Sequence, residues 1–254
     1  MTPPSIPGQR AAPGAGGDRE AELAQLRARL RRLEARHAVE RPRPADPLAL
    51  ESVPTPHGPA LRRVETVRAP AAVAAGDPPA PGTVFLDTET TGLAGGTGTY
   101  VFLVGLATWT TGQTLTVTQY FLGDLGAEAA FLHAVREAVA AARELVTFNG
   151  RTFDLPLLET RYLLARASWW GAELPHRDLY PVARALWRGR ATDCRLSTLE
   201  AALLGLDRGD DLPGALVPQV YFRYLRTRDP GPLPRIFRHN RWDLVALAGL
   251  HGRA

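Results

Sequence analysis

The 254-residue sequence contains no lysine and a single cysteine, Cys194, and these absences exclude several kinds of site. One cysteine cannot form an internal disulfide or a zinc cage of cysteines. The glycine-rich residues 95–98 cannot form a nucleotide-binding phosphate loop, because that loop ends in a lysine followed by serine or threonine. No apolar run approaches the roughly 18 residues that cross a bilayer, and residues 1–17 lack the pattern of a signal peptide. We therefore expect a cytoplasmic protein that does not associate with membranes.

The charge of the chain comes from 30 basic residues, all arginine, and 26 acidic residues, which give a formal net charge of +4. The planar guanidinium group pairs well with phosphate, so this composition favours nucleic acid as a partner. A GC-rich genome also replaces lysine by arginine, and +4 is small for a chain of this length. The charge alone does not separate these two explanations.

Four regions are predicted along the chain. Residues 1–17 are rich in proline, glycine and alanine and predict a disordered tail. Residues 18–40 predict an amphipathic helix with leucine at every third or fourth position, which either packs on its own domain or serves self-association or a partner protein. Residues 41–82 predict a proline-rich linker with an edge strand near residues 61–67. Residues 83–254 predict one α/β domain.

Within this domain the apolar pattern alternates between strand and helix periods. The predicted strands cover residues 83–86, 100–109, 115–122 and 145–148. The predicted helices cover residues 127–142, 155–166, 179–187, 197–204, 217–226 and 234–250. The first four residues of the 197–204 helix, Ser-Thr-Leu-Glu, are typical of a capping box. Three strands, a helix, a fourth strand and further helices predict a mixed central sheet flanked by helices.

Two carboxylates, Asp87 and Glu89, end the first strand of the domain. Side chains alternate along a strand, so these two point to the same face. Two like charges side by side raise a pKa or require a cation, and Mg²⁺ or Mn²⁺ takes such oxygen ligands. A solvated Asp-x-Glu pair at a strand end is the alternative interpretation.

Further candidate residues lie later in the chain. Asp154 follows a short strand and an Asn-Gly turn, where its alternative role is to stabilise the N-terminus of a helix. His239 and Asp243 are four residues apart in the last predicted helix and therefore share one face. An exposed His–Asp pair is the alternative, although the apolar neighbours indicate that this helix packs on the sheet. Asp178 is predicted to be a helix N-cap, and Asp211 a surface charge.

Taken in order, Asp-x-Glu at 87–89, Asn-x-x-x-Phe-Asp at 149–154 and His-x-x-x-Asp at 239–243 resemble the three motifs of the DEDD exonuclease superfamily. The resemblance spans residues 83–251 and is strongest to the bacterial YprB-type ribonuclease H-like proteins. The stretches that support this branch are residues 91–96, 178–187, 196–200, 211–214 and 221–225.

The resemblance implies a ribonuclease H-like fold and a 3′→5′ exonuclease that releases 5′-mononucleotides from a DNA or RNA 3′ end. It implies two Mg²⁺ or Mn²⁺ ions about 3.5–4 Å apart, held by the acidic residues Asp87, Glu89, Asp154 and Asp243. It also implies that His239 accepts a proton from the attacking water. Members of the superfamily carry a histidine five positions, or a tyrosine four positions, before the last aspartate; here the histidine stands at the tyrosine spacing. The residues implied to contact substrate are Thr90, Thr91, Gly92, Leu93, Asn149 and Phe153.

Two other functions remain open alongside this one. A non-catalytic nucleic-acid-binding module could have the same fold, although clustered negative charge facing phosphates gives such a module no advantage without a metal. A structure-specific endonuclease could use the same fold and metals.

Overall fold

The computed structural model describes residues 48–92, 97–110 and 113–254, together with Gln25 and Ala28, which are helical. Contacts divide the chain into two units, Met1–Arg41 and Pro42–Ala254. The predicted disordered tail at 1–17, most of the predicted helix at 18–40 and the predicted substrate contact Leu93 lie outside the described residues.

In the described part of Pro42–Ala254, seven strands form one sheet in the order β1-β2-β5-β4-β3-β6-β7. Strand β3 runs parallel to β6, and β6 runs parallel to β7, whereas the other neighbours are antiparallel. The mixed sheet expected from the sequence is therefore confirmed. The strands are β1 (Glu51–Thr55), β2 (Gly58–Arg68), β3 (Thr83–Thr90), β4 (Val101–Trp109), β5 (Thr114–Phe121), β6 (Glu144–Thr147) and β7 (His176–Asp178).

The sheet begins earlier in the chain than the proline-rich composition of 41–82 suggested. Strands β1 and β2 form a hairpin, and β2 pairs with β5 from Leu61 to Arg68. The edge position belongs to β1, not to the predicted strand at 61–67. Pro54 and Pro59 face each other at the end of this hairpin. Pro54 lies on the edge strand, where proline is tolerated, and Pro59 precedes the part of β2 that pairs with β5, which begins at Leu61.

Seven described helices flank the sheet. They are α1 (Ala71–Ala74), α2 (Glu128–Val139), α3 (Asp154–Leu164), α4 (Leu179–Trp187), α5 (Leu196–Leu199, continued by a π-helical turn at Glu200–Leu204), α6 (Val217–Thr227) and α7 (Leu233–His251). Single 3₁₀ turns occupy Leu125–Ala127 and Gly214–Leu216. The helical turn after α5 ends at Gly205, whose φ of 61° is readily adopted by glycine. None of the described helices has the length and apolar character needed to cross a membrane.

Helix α7 packs against β3, β4 and β5, and this packing sets the position of the polar residues that α7 carries. Its C-terminal half is buried in a core that includes Phe85 of β3 and Val117 of β5. The fully buried Asn240 lies one turn before this half and packs against Gly105 of β4. A Cβ atom on residue 105 would overlap the Asn240 side chain, so this close approach requires glycine there. Gln119 of β5 donates to Oδ1 of Asn240 at 2.8 Å. These contacts fix the register of α7 over the sheet.

Candidate functional site

The two carboxylates predicted from the strand motif lie near the end of β3, where its pairing with β4 shifts between Glu89 and Thr90. Glu89 is 8% exposed, and its Oε1 atom is buried without a hydrogen-bond partner among the described residues. Asp87 is held by Asn240, whose Nδ2 donates to Oδ2 of Asp87 at 2.8 Å. Asp87 is therefore oriented by a neutral donor, whereas Glu89 retains an unsatisfied oxygen.

Asp154 is the first residue of α3. The hydroxyl of Thr88 donates to its Oδ1 atom at 2.5 Å, which joins the start of α3 to β3. Asp154 does lie in the first helical turn, as its alternative interpretation required. Its charge also raises the pKa values of Asp87 and Glu89, which shows that Asp154 lies near both carboxylates.

Helix α7 brings His239 and Asp243 to the same place. Nε2 of His239 lies 3.4 Å from Oδ2 of Asp243. One ligand atom from each of Glu89, His239 and Asp243 lies within 4.8 Å of the other two. The structure thus brings Glu89, His239 and Asp243 together from β3 and α7, and the charges of Asp87 and Asp154 interact with this group.

Burial and mutual repulsion give these groups unusual protonation behaviour. Desolvation, followed by the charges of Asp243 and Glu89, raises the pKa of Asp87 well above its ordinary value. Desolvation raises the pKa of Glu89 to about 8 and that of Asp154 to about 6. Burial alone would lower the pKa of His239, but the nearby Asp243 and the hydrogen bond to Asp211 outweigh it and raise that pKa to about 9. The metal-free centre therefore holds protons that a cation would replace.

The donor set suits a divalent cation. Its carboxylate oxygens are ligands that Mg²⁺ and Mn²⁺ accept, and its one imidazole nitrogen suits a transition ion. The buried, unpartnered Oε1 of Glu89 would gain a partner from such an ion, and this removes the cost of leaving it unsatisfied. The residues present therefore fit a metal.

Asp211 is not the surface charge that its Gly-Asp-Asp-Leu surroundings predicted. Its side chain is 13% exposed, and its Oδ2 lies 2.7 Å from Nδ1 of His239. Burial would raise the pKa of Asp211, but the hydrogen bond from His239 outweighs it and the pKa is lowered. The prediction failed because these two residues are 28 positions apart, and no helical or strand period connects a loop residue to α7.

Arg208 is a second residue that the sequence did not single out. Its guanidinium group donates to both oxygens of Glu200, to Oδ1 of Asp243 at 2.6 Å and to Oδ2 of Asp211 at 3.3 Å. The sequence predicts that Glu200 forms a capping box with Ser197. That interpretation is wrong, because α5 begins at Leu196 without a side-chain cap and Glu200 is buried against Arg208.

The predicted substrate contacts occupy two loops beside the carboxylates. In the first, the hydroxyl of Thr90 donates to the carbonyl of Gly92 at 2.9 Å, and the hydroxyl of Thr91 accepts from the Tyr100 amide at 2.9 Å. Leu93 lies outside the described residues. Hydrogen bonds therefore hold the first loop together and connect it to the residue before β4.

The second loop precedes α3 and carries Asn149 and Phe153. Asn149 has a φ of 64°, and its amide donates to Oδ1 of Asp178 at 2.7 Å. The same carboxylate accepts from the Tyr180 amide at 3.0 Å, which confirms its predicted role as an N-cap. Phe153 is 50% exposed immediately before Asp154. An exposed aromatic ring thus stands next to the acidic cluster.

Comparison with known proteins gives matches of both sequence and fold. A sequence model of the RNase H superfamily matches residues 84–254. The uncharacterised protein YprB of Bacillus subtilis (strain 168) is 38% identical over 170 residues, which cover 66% of this chain and 40% of that protein. The chain therefore spans less than half the length of this relative.

Comparison with solved structures gives matches at low sequence identity. The family B DNA polymerase from the hyperthermophilic archaeon Pyrobaculum calidifontis has a TM-score of 0.51 and 18% identity, over 76% of this chain and 29% of that one. Escherichia coli Exonuclease I in complex with a dA13 oligonucleotide has a TM-score of 0.38 and 16% identity, over 65% of this chain and 45% of that one. The sequence matches confirm the resemblance to YprB-type ribonuclease H-like proteins, and the polymerase confirms the expected fold.

Proposed function

The chain belongs to the RNase H superfamily, and from that premise we propose that it is a metal-dependent nuclease that hydrolyses DNA or RNA. We propose further that it is a 3′→5′ exonuclease releasing 5′-mononucleotides. The observation that carries the proposal is that buried carboxylates of β3, α3 and α7 interact with one another, while Oε1 of Glu89 has no hydrogen-bond partner among the described residues. Such a cluster repels phosphate unless cations neutralise it, and with cations it becomes a site for phosphoryl transfer.

The residues proposed to hold two divalent ions are Asp87, Glu89, Asp154 and Asp243. Bound Mg²⁺ or Mn²⁺ would supply an acidified water and neutralise charge on the phosphate oxygens. The protein's own contribution is to orient these ligands before the ions arrive: Asn240 holds Asp87, and Thr88 holds Asp154. Ligands fixed in this way need little reorganisation when the substrate binds.

His239 presents one defined ring nitrogen to the centre. Because Nδ1 faces the carboxylate of Asp211, Nε2 is the atom that faces Asp243. This nitrogen either accepts a proton, as the motif resemblance suggested, or binds a cation directly.

Phe153 and the loop at residues 90–92 are proposed to contact the terminal nucleotide. The ring of Phe153 is half exposed beside Asp154, and a base can stack on an exposed aromatic ring without reading its sequence. The Thr90 and Thr91 hydroxyls hold their loop in one conformation next to Glu89. Both features suit recognition of a strand end without base specificity.

The proposed activity is tested by digesting single- and double-stranded DNA and RNA with Mn²⁺ or Mg²⁺ and resolving the products by nucleotide. We expect stepwise shortening of a 5′-labelled strand, and no shortening when its 3′ end is blocked. Internal cuts in the blocked strand would instead support a structure-specific endonuclease. Metal-dependent binding with no digestion of any of these substrates would support a non-catalytic module.

The pH dependence of stability provides a test that does not require a substrate. The pKa values of Glu89 and His239 are raised in the folded protein to about 8 and about 9, from 4.5 and 6.5. The stability linked to a raised pKa is complete below the unfolded value and is lost as pH rises through the folded value. In EDTA, we therefore expect the free energy of unfolding to fall by on the order of 2 kcal/mol between about pH 7 and pH 9.

Urea unfolding followed by circular dichroism measures this effect. His176 and His251 do not obscure it, because their lowered pKa values place their titration below this window. Saturating Mn²⁺ should weaken or reverse the trend, because a metal competes with protons for the same ligands. In EDTA, Glu89→Gln should make the free energy of unfolding fall less steeply as pH rises. A free energy of unfolding that rises with pH in EDTA would contradict the electrostatics described here.

A further inference from the structure

We propose that His239 is a nitrogen ligand of one ion, together with Glu89 and Asp243, and that Asp211 positions its ring for this purpose. The centre would then prefer Mn²⁺, or a similar transition ion, over Mg²⁺. The inference rests on the proposed function only in placing a divalent cation at this cluster. It assigns His239 a different role from the proton acceptor of the motif resemblance.

One ring nitrogen of His239 is available to bind an ion. An ionised carboxylate can only accept hydrogen bonds, so the 2.7 Å contact with Asp211 requires a proton on Nδ1 of His239. In the neutral ring the lone pair is then on Nε2. Asp211 is itself fixed, because the Leu212 amide donates to its Oδ1 at 2.9 Å and Arg208 donates to its Oδ2 at 3.3 Å. The ring is thereby held in one tautomer and one orientation.

Nε2 of His239 points towards the carboxylate of Asp243. It lies 3.4 Å from Oδ2 of Asp243. One ligand atom each of Glu89, His239 and Asp243 lies within 4.8 Å of the other two. Neighbouring ligands of one octahedral ion, each at about 2.1 Å, lie about 3 Å apart. Small side-chain adjustments therefore suffice for all three groups to bind one ion. The buried Oε1 of Glu89 has no hydrogen-bond partner among the described residues, which independently favours a cation at this cluster.

A metal-binding histidine almost always donates its other ring N–H to a carboxylate or carbonyl, which fixes the ring and makes the ligand more basic. Asp211, His239 and an ion would form this arrangement. Imidazole nitrogen favours transition ions, whereas Mg²⁺ prefers oxygen ligands and water. A ring that binds an ion through Nε2 has no lone pair left to accept a proton, so the two roles of His239 exclude each other.

The experiment uses the full chain stripped with EDTA and loaded with Mn²⁺. Pulsed electron paramagnetic resonance should detect ¹⁴N hyperfine coupling to Mn²⁺ in the wild type. The coupling should vanish in His239→Gln and persist in His133→Gln, the matched control, whose ring packs against His57 on another part of the protein. Absence of ¹⁴N coupling in the wild type, or its persistence in His239→Gln, would overturn the proposal.

Calorimetric titration with MnCl₂ and MgCl₂ tests the selectivity. His239→Gln should weaken Mn²⁺ binding at least about tenfold and Mg²⁺ binding less than about threefold. Asp211→Asn should weaken Mn²⁺ binding about 10- to 100-fold, the usual effect of removing the carboxylate behind a ligating histidine. Equal losses for the two metals in His239→Gln, or unchanged Mn²⁺ binding in Asp211→Asn, would contradict the proposed roles.

This inference and the proposed nuclease activity fail in different ways. Nitrogen coupling without digestion of any nucleic acid would support the ligand assignment and remove the proposed function. Metal-dependent digestion without nitrogen coupling would support the function and return His239 to the role of a free base.

Discussion

Replacing Asp87 by asparagine should reduce metal-dependent digestion by about 10³-fold or more and, at the same time, make the metal-free protein more stable. The loss of activity follows because a metal ligand that stabilises the transition state by about 4 kcal/mol corresponds to a thousandfold in rate. The gain in stability follows because desolvation and the charges of Asp243 and Glu89 raise the pKa of Asp87, so its ionised form is disfavoured in the folded state. Asparagine has the same shape without the charge.

Two measurements on the same protein separate this result from misfolding. Digestion rates with saturating Mn²⁺ report the activity, and thermal unfolding in EDTA at about pH 8 reports the stability. Asp193→Asn is the matched control, because Asp193 is an exposed carboxylate on the loop before α5 and should affect neither quantity much. Undiminished digestion by Asp87→Asn and by Asp154→Asn would rule out the assigned centre. Lost digestion with a lower unfolding temperature would show that structure, not ligation, had failed.

Short-range periodicity predicted the part of the site that lies on regular elements. Alternation along a strand predicted that Asp87 and Glu89 share one face, and the helical spacing of four predicted that His239 lies beside Asp243, where the structure has it. The apolar pattern located the strands and helices after residue 83 because their burial has a regular period. These inferences needed only local geometry.

The groups that orient the centre could not be found in the same way. Asn240 binds Asp87 across 153 residues, and Arg208 reaches Asp243 across 35. Both contacts depend on how α7 lies on the sheet, which is decided by packing at Gly105 and Gln119. Tertiary placement of this kind leaves no periodic trace in the sequence.

Two strands were missed for a related reason. Strand β7 has three residues, and its identity depends on pairing with β6. Strand β1 contains Pro54 and is recognisable only through its pairing with β2. Very short or proline-containing segments carry too few residues for alternation to be visible. The helix predicted at 18–40, and its proposed use in self-association or partner binding, stays a prediction.

Replacing Arg208 by methionine should lower the free energy of unfolding by about 3–5 kcal/mol, the usual cost of removing one partner of a buried ion pair. The Glu200 side chain is 3% exposed and that of Arg208 is 8% exposed, so neither charge has water to replace its partner. Burial raises the pKa of Glu200, and the bonds from Arg208 act against this rise. Without Arg208, Glu200 must either remain as an unpaired buried charge or take up a proton.

The double variant Glu200→Leu with Arg208→Met separates the pair from the rest of the network. Two apolar side chains of similar volume can replace a buried pair at little cost, so we expect most of the lost stability to return in urea unfolding. The return should be incomplete, because Arg208 also binds Asp243 and Asp211. Arg195→Met, at an arginine side chain that is 82% exposed, is the control and should change stability by less than about 0.5 kcal/mol.

The free energy of unfolding that the double variant still lacks, relative to the wild type, measures what Arg208 contributes to the acidic centre itself. A double variant as stable as the wild type would mean that Arg208 serves Glu200 alone and that Asp243 and Asp211 need no cation. A loss below about 1 kcal/mol in Arg208→Met would mean that water reaches Glu200. If this loss of stability is present in EDTA and becomes smaller with Mn²⁺, then Arg208 and the divalent ion neutralise the same carboxylates. The fixed guanidinium would then be what allows so many buried acids to fold together before any metal binds.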